Sequence, residues 1–139
     1  MKSIVIDSSI ALAWCFSDES SPLADAVMRS LRQQEAWVPA LWPLEVANIL
    51  AISERRGRVT LAETEQFLSI LESLPIRVEP VDRNIVFDRV LTLARNHKIT
   101  VYDASYLELA ERLSSPLATL DKLLIQAAQK DGISLYQIS

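Results

Sequence analysis

The chain has 139 residues, half of them hydrophobic, and a formal net charge of −4 at pH 7. That supplies the core of one domain, 1–139, and argues against a protein that is basic all over and built to coat nucleic acid, while leaving local basic patches open. The single Cys15 and single His97 exclude an internal disulfide, a cysteine zinc site and a histidine-rich metal centre, and the two glycines, Gly57 and Gly132, leave none for a phosphate-cradling loop.

Ile4, Val5 and Ile6 form a short run of branched aliphatics that predicts a buried strand, with Asp7 where it ends. Ile10 to Trp14 reads as the first helix. Asp18–Ser20 is a loop, and Ser21 is a helix N-cap with Pro22 at the first helical position. Leu23, Ala26, Val27 and Leu31 form the apolar stripe of that second helix. Ala36–Val38, stopped by Pro39, predicts a second strand, and a third helix runs from about Leu41 to Arg56 with Gly57 ending it. Thr60 and Glu63 form a capping box for a fourth helix with Phe67, Leu68, Leu71 and Leu74 inside. Ile76–Glu79 alternates as a half-buried strand.

A fifth helix from Asp82 carries Val86, Val90, Leu93 and Ala94 on one face and closes at Asn96–Lys98. Thr100 caps a sixth, Val101 to Leu113. Pro116–Leu120 is a short strand, Asp121 caps a seventh helix to about Lys130, and Ile133–Tyr136 is the last strand. Strands alternating with helices predict an α/β three-layer sandwich: a central, mostly parallel sheet with helices on both faces. No apolar run approaches a membrane span, and the N-terminal run lacks a small-residue cleavage site, so neither an anchor nor a signal peptide is expected.

Four carboxylates stand out. Asp7 and Asp121 each follow a strand and open a helix, a position that suits an N-cap and also an active-site acid in an open α/β fold. Glu45 lies one helical turn from Leu41 and Ile49, so its carboxylate is expected to be partly desolvated, although an acid early in a helix also suits the macrodipole. Asp103 lies three residues after Thr100, as in a variant capping box, and shares a face with Leu107 and Ala110. All four positions fall at the carboxyl-end rim of a parallel sheet. Carboxylates gathered there would raise one another's pKa, and a divalent cation would relieve the conflict; oxygen ligands without His or Cys suit Mg2+ or Mn2+ and phosphate chemistry. Ser9, Asn48 and Thr119 are candidate supporting polar groups. Arg55, Arg56 and Arg58 are either solvated helix-end cations or a contact for RNA phosphates or an acidic partner. Cys15 is expected to be packed, and His97 to close its helix.

Asp7-Ser8-Ser9 after a buried strand, Glu45-Val46-Ala47-Asn48 after Pro39, Tyr102-Asp103-Ala104-Ser105-Tyr106 on a helix and Thr119-Leu120-Asp121 together resemble the four motifs of PIN-domain nucleases. Length and order are similar to those of the small bacterial toxins of the VapC type, and the resemblance covers essentially the whole chain. It implies a PIN-like fold and Mg2+-dependent endoribonuclease activity on RNA; the cytoplasm is expected from the single cysteine, which fits a reducing compartment. Asp7 and Asp103 would be the principal metal ligands, Glu45 and Asp121 would complete the coordination or hold metal-bound waters, and Ser9, Asn48 and Thr119 would support them. The expected chemistry is attack on an RNA phosphodiester by a metal-activated water. The resemblance also implies a homodimer and a cognate antitoxin occupying the active-site groove. The alternative is a non-catalytic PIN-like protein-binding module whose acids are caps. A response-regulator receiver lacks its acidic pair here, and a haloacid-dehalogenase-type phosphatase would want an Asp where Ser9 stands.

Overall fold

The computed structural model describes residues 2–138. Among them, four parallel strands, β1 (Ser3–Ile6), β2 (Glu35–Pro39), β3 (Ile76–Glu79) and β4 (Leu117–Ala118), form one sheet in the order β3-β2-β1-β4. Val5 lies opposite Trp37 on one side and Leu117 on the other, so β1 and β2 are the interior strands. Ile4, Val5 and Ile6 are fully buried, as a strand covered on both faces requires.

Among the described residues, seven helices flank the sheet, besides a short 3₁₀ turn. They are α1 (Ser8–Cys15), α2 (Pro22–Ser30), α3 (Leu41–Arg55), α4 (Leu61–Ser73), α5 (residues 83–97), α6 (Val101–Leu113) and α7 (Lys122–Lys130). The chain steps from β1 to β2 to β3 in one direction and then returns past β1 to reach β4. With right-handed crossovers, α1–α4 cover one face and α5–α6 the other. Packing of α1 on α2 and α3, and of α6 on α5 and α7, agrees with that division. The reversal creates a switch point between β1 and β4, where the carboxyl ends of an open α/β sheet leave a crevice.

Local signals explain the helix starts. The Ser21 hydroxyl accepts the Leu23 and Ala24 amides ahead of Pro22, and both halves of the Thr60–Glu63 capping box are formed. Gly57 and Gly132 follow α3 and α7 at φ +72° and +70°, in the left-handed region glycine enters at little cost.

Several expected details differ. Residues 133–136 form no strand ladder; Leu135 makes one isolated bridge to Leu117, because β4 is only two residues long and offers little to pair with. Thr119 and Leu120, read as strand, lie beyond β4. Residues 17–19 form a 3₁₀ turn rather than a loop. Within α5, Val86–Val90 winds as a π turn between Arg83–Ile85 and Leu91–His97, while Val90, Leu93 and Ala94 still face the core. Leu68 on α4 is 39% exposed rather than inside, and Val78 on β3 is also exposed. Both lie toward β3, the edge strand of the sheet among the described residues.

Candidate active site

β1 ends at Ile6 and α1 begins at Ser8, which leaves Asp7 at the switch point. Its backbone amide still donates to the Ala118 carbonyl of β4 at 3.3 Å. Asp7 is 5% exposed. The Ser9 hydroxyl donates to its Oδ1 and the Thr119 hydroxyl to its Oδ2, both at 2.5 Å. These hydroxyls are held in turn: the Leu120 amide donates to Ser9 Oγ at 2.9 Å and the Asp121 amide to Thr119 Oγ1 at 3.0 Å.

Asp7 occupies the N-cap position of α1 in extended backbone, but its side chain closes no capping hydrogen bond. The cap expected from sequence is therefore absent, because the two hydroxyls hold both oxygens. The Ile10 amide lies close enough to favour the ionised form without closing a bond. Burial dominates the balance and pushes the carboxyl from 3.8 up to about 6, against the Ser9 and Thr119 hydroxyls and the Ile10 amide, with the Asp121 charge adding to the rise.

Glu45 sits in the first turns of α3, half-buried. The Tyr106 hydroxyl, on α6, donates to its Oε1. Burial raises the Glu45 pKa, the phenol opposes that rise, and the Asp103 charge adds to it. Asp103 is the third residue of α6, and its amide donates to the Thr100 hydroxyl at 3.0 Å. Among the described residues its carboxylate does not return a bond to the Thr100 amide, so the capping box is half formed. Burial raises the Asp103 pKa and the Asp121 charge raises it further, while the Thr100 hydroxyl pulls it down. Asp121 is exposed and is a true N-cap of α7: its Oδ1 accepts the Leu124 amide at 3.0 Å.

The four acids named from sequence thus share one neighbourhood. Asp121 acts electrostatically on Asp7 and on Asp103, and Asp103 acts on Glu45. Among the described residues, no three His, Cys, Asp or Glu side chains stand in metal-ligating geometry. The donor set itself, oxygen-only carboxylates of which burial raises the pKa of Asp7, Glu45 and Asp103, suits a hard divalent cation.

Ser9 and Thr119 join the cluster, as described. Asn48 is exposed on α3, one turn beyond Glu45. The arginines do not join it. Ten residues of helix separate Glu45 from Arg55, about 15 Å at the α-helical rise. Arg58 pairs with Asp18 at 2.9 Å and Glu19 at 2.8 Å, and its guanidinium lies 3.7 Å from the Phe16 ring centroid. Arg55 and Arg56 are exposed. His97 Nε2 lies 3.3 Å from Asp131 Oδ1 in a separate ionic cluster with Arg89. Cys15 is half-buried, and burial raises its thiol pKa.

Tyr106 received no role from sequence. It is 1% exposed, and burial together with the Glu45, Asp7 and Asp103 charges raises its phenol pKa far above the usual value. The available signal was its spacing: at i+3 from Asp103 it lies on the same helix face, and it brings a polar atom into an otherwise apolar stripe.

A profile of the PIN domain matches residues 4–130. Ribonuclease VapC3 of Pyrobaculum aerophilum is 32% identical over 123 residues, covering 88% of this chain and 92% of that protein. The crystal structure of PAE2754 from Pyrobaculum aerophilum superposes with a TM-score of 0.69 at 25% identity, covering 91% of this chain and 84% of that one. A structure described as a toxin-antitoxin complex from Klebsiella pneumoniae shares the fold alone, at 13% identity and a TM-score of 0.54 over 85% of this chain and 86% of that one. The chain therefore belongs to the PIN-domain family, among its VapC-type members.

Proposed function

We propose that this chain is a Mg2+- or Mn2+-dependent endoribonuclease, acting as a single PIN-like nuclease domain and serving as the toxin of a type II toxin–antitoxin pair. The observation that carries this reading is the convergence of Asp7, Glu45, Asp103 and Asp121, from four separate elements, beside the β1–β4 switch point. Their mutual repulsion is what a divalent cation would relieve. The relative named a ribonuclease supports the same reaction class.

Asp7 and Asp103 would hold the metal, with Glu45 and Asp121 completing its surroundings once side-chain rotation closes the cluster. When bound, the metal would supply a Lewis acid for the phosphate and lower the pKa of an attacking water. The chain's own residues do the rest. Ser9 and Thr119 fix both oxygens of Asp7, and the Asp121 amide fixes Thr119. Asp121 keeps its N-cap bond through Oδ1 and leaves Oδ2 for the site. The lone His97 is paired with Asp131, away from these acids, so no pair of histidines exists to run metal-free acid–base cleavage.

RNA is the substrate in this reading, with Arg55 and Arg56 available for phosphates away from the carboxylates and Arg58 engaged by Asp18 and Glu19. A cognate antitoxin would occupy the groove beside the carboxylates; the toxin-antitoxin complex of the same fold is consistent with such a partner. A homodimer would cover the apolar side chains Leu44, Val81, Phe87 and Tyr102, which stand 64–73% exposed. The cellular site in this reading is the cytoplasm; no helix among the described residues is long and apolar enough to cross a membrane.

A non-catalytic protein-binding module is the second reading. It draws on the cap bond of Asp121 and on the open arrangement of the carboxylates. Incubating the chain with an RNA pool, with Mg2+ or with chelator, separates the two: cleavage only with Mg2+, lost in Asp103→Asn, supports the nuclease, and intact RNA throughout supports the module.

A further inference from the structure

α6 lies against both interior strands, β1 and β2, and its buried face is closely filled. Ala104, Tyr106, Leu107, Leu109 and Ala110 are each at most 1% exposed. A side chain in that position has no rotamer freedom to spare. Tyr106 carries the one hydroxyl among them, and that hydroxyl donates to Glu45 Oε1 on α3. The bond therefore ties a half-buried carboxylate to a ring clamped in the core. Asp103 stands one helical turn from the same ring, and the field of Asp103 reaches both the phenol and Glu45.

We infer that Tyr106 is a positioning residue of the carboxylate site: its clamped phenol occupies Glu45 Oε1 and leaves Oε2 as the oxygen Glu45 presents to the cation and its waters. This rests on the metal-dependent nuclease reading above. A Glu side chain has three rotatable bonds, and without an anchor it would spread over many positions and lose entropy on meeting a ligand. The phenol restricts those positions before the cation arrives. Partners that orient ligands in this way affect metal affinity or activity by about 10- to 100-fold when removed. A tyrosine suits the role better than a serine or threonine would, because its ring spans from the sheet-facing side of α6 to the neighbouring α3. Its hydroxyl is also a neutral donor that does not neutralise the carboxylate.

The test is a double-substitution cycle in the full-length chain, with Tyr106→Phe, Glu45→Ala and the two combined. Each protein is titrated with Mn2+ by electron paramagnetic resonance, melted without metal, and assayed for RNA cleavage with kcat and KM separated. Tyr106→Phe keeps the ring and removes one oxygen. It is expected to weaken Mn2+ binding and to lower kcat, each about tenfold or more, with KM for RNA within twofold of wild type. In the Glu45→Ala background the same substitution is expected to change Mn2+ affinity less than twofold, because its effect runs through Glu45. Equal Mn2+ affinity and kcat in Tyr106→Phe and wild type would overturn the role while leaving the nuclease reading standing. So would a full additional loss in the Glu45→Ala background. Failure of wild type itself to bind Mn2+ would overturn the nuclease reading and this role with it. If Tyr106→Phe does not fold, Glu45→Asp decides: it retains the charge but withdraws the carboxylate from the phenol by one methylene, and it is expected to show the same affinity loss. Wild-type affinity in Glu45→Asp would overturn the role.

Discussion

Thr119 and Asp7 lie 112 positions apart in the chain, and the Thr119 hydroxyl donates to Asp7 Oδ2 at 2.5 Å across the boundary between β4 and β1. The bond spans the one place where the sheet order reverses, so it ties the crevice itself rather than either strand alone. Thr119→Val keeps the shape and removes the donor. Leaving a buried acceptor unmatched costs about 1–3 kcal/mol, and the metal-free melting temperature is expected to fall by several degrees. Thr119→Ser keeps the hydroxyl and is expected to lose clearly less. A Thr119→Val melting temperature equal to that of wild type would show that the bond contributes nothing to stability.

Asp7 also makes stability depend on pH in an unusual direction. Its carboxyl moves from 3.8 in the unfolded chain to about 6 in the fold, so the folded state binds the proton more tightly. The stabilising contribution is complete below pH 3.8 and is lost as pH rises through about 6. At 1.36 kcal/mol per tenfold change in proton affinity, Asp7 costs the metal-free fold about 3 kcal/mol at neutral pH. Asp7→Asn is expected to melt higher than wild type at pH 7.5 without metal, with the gap closing by pH 4. Melting curves across that range check this; a gap that widens towards acid would contradict the burial of a protonated Asp7.

Much of this was legible in the sequence, for physical reasons that differ by residue. The continuous apolar run Ile4–Ile6 can only be a doubly covered strand, and the capping chemistry of Ser21, Thr60, Thr100 and Asp121 marks helix starts through local bonds alone. The raised pKa of Glu45 was foreshadowed by Leu41 and Ile49 on its own helix face. Individual non-local hydrogen bonds were not legible. Asp7 looked like a cap because its competitor Thr119 is remote in sequence. The Tyr106–Glu45 bond joins residues 61 positions apart. The last strand failed because pairing depends on the length of β4, which no periodicity within 133–136 reports.

Metal binding is expected to stabilise the chain. At a hundredfold excess over the dissociation constant, Mg2+ adds about 2.7 kcal/mol, seen as a rise of several degrees in melting temperature. Asp103→Asn is expected to keep the metal-free fold and lose that rise, since Asp103 is half-buried on the rim and the bond that caps α6 there runs from its backbone amide to the Thr100 hydroxyl, which the substitution keeps. An unchanged rise in Asp103→Asn would remove Asp103 from the metal site.

The homodimer has its own test. Val81 and Phe87 are 72% and 69% exposed, and Val81 borders an apolar hollow of about 220 Å³ that Leu41, Val101 and Tyr102 also line. Placing a charge in a buried apolar interface is strongly unfavourable. Val81→Glu with Phe87→Glu is expected to convert a dimer to a monomer in sedimentation velocity at micromolar concentration. A wild-type monomer, or a dimer that survives both substitutions, would contradict the proposed interface.

In the proposed function, Asp7, Glu45, Asp103 and Asp121 form one metal-dependent centre that cuts RNA. Sequencing RNA ends after incubation of purified chain with total RNA tests it most directly, using wild type and Asp103→Asn, each with Mg2+ and with excess chelator. The expected result is a defined set of new ends with wild type and Mg2+ alone. New ends that persist in chelator or in Asp103→Asn, or their absence under every condition, would contradict a metal-dependent nuclease.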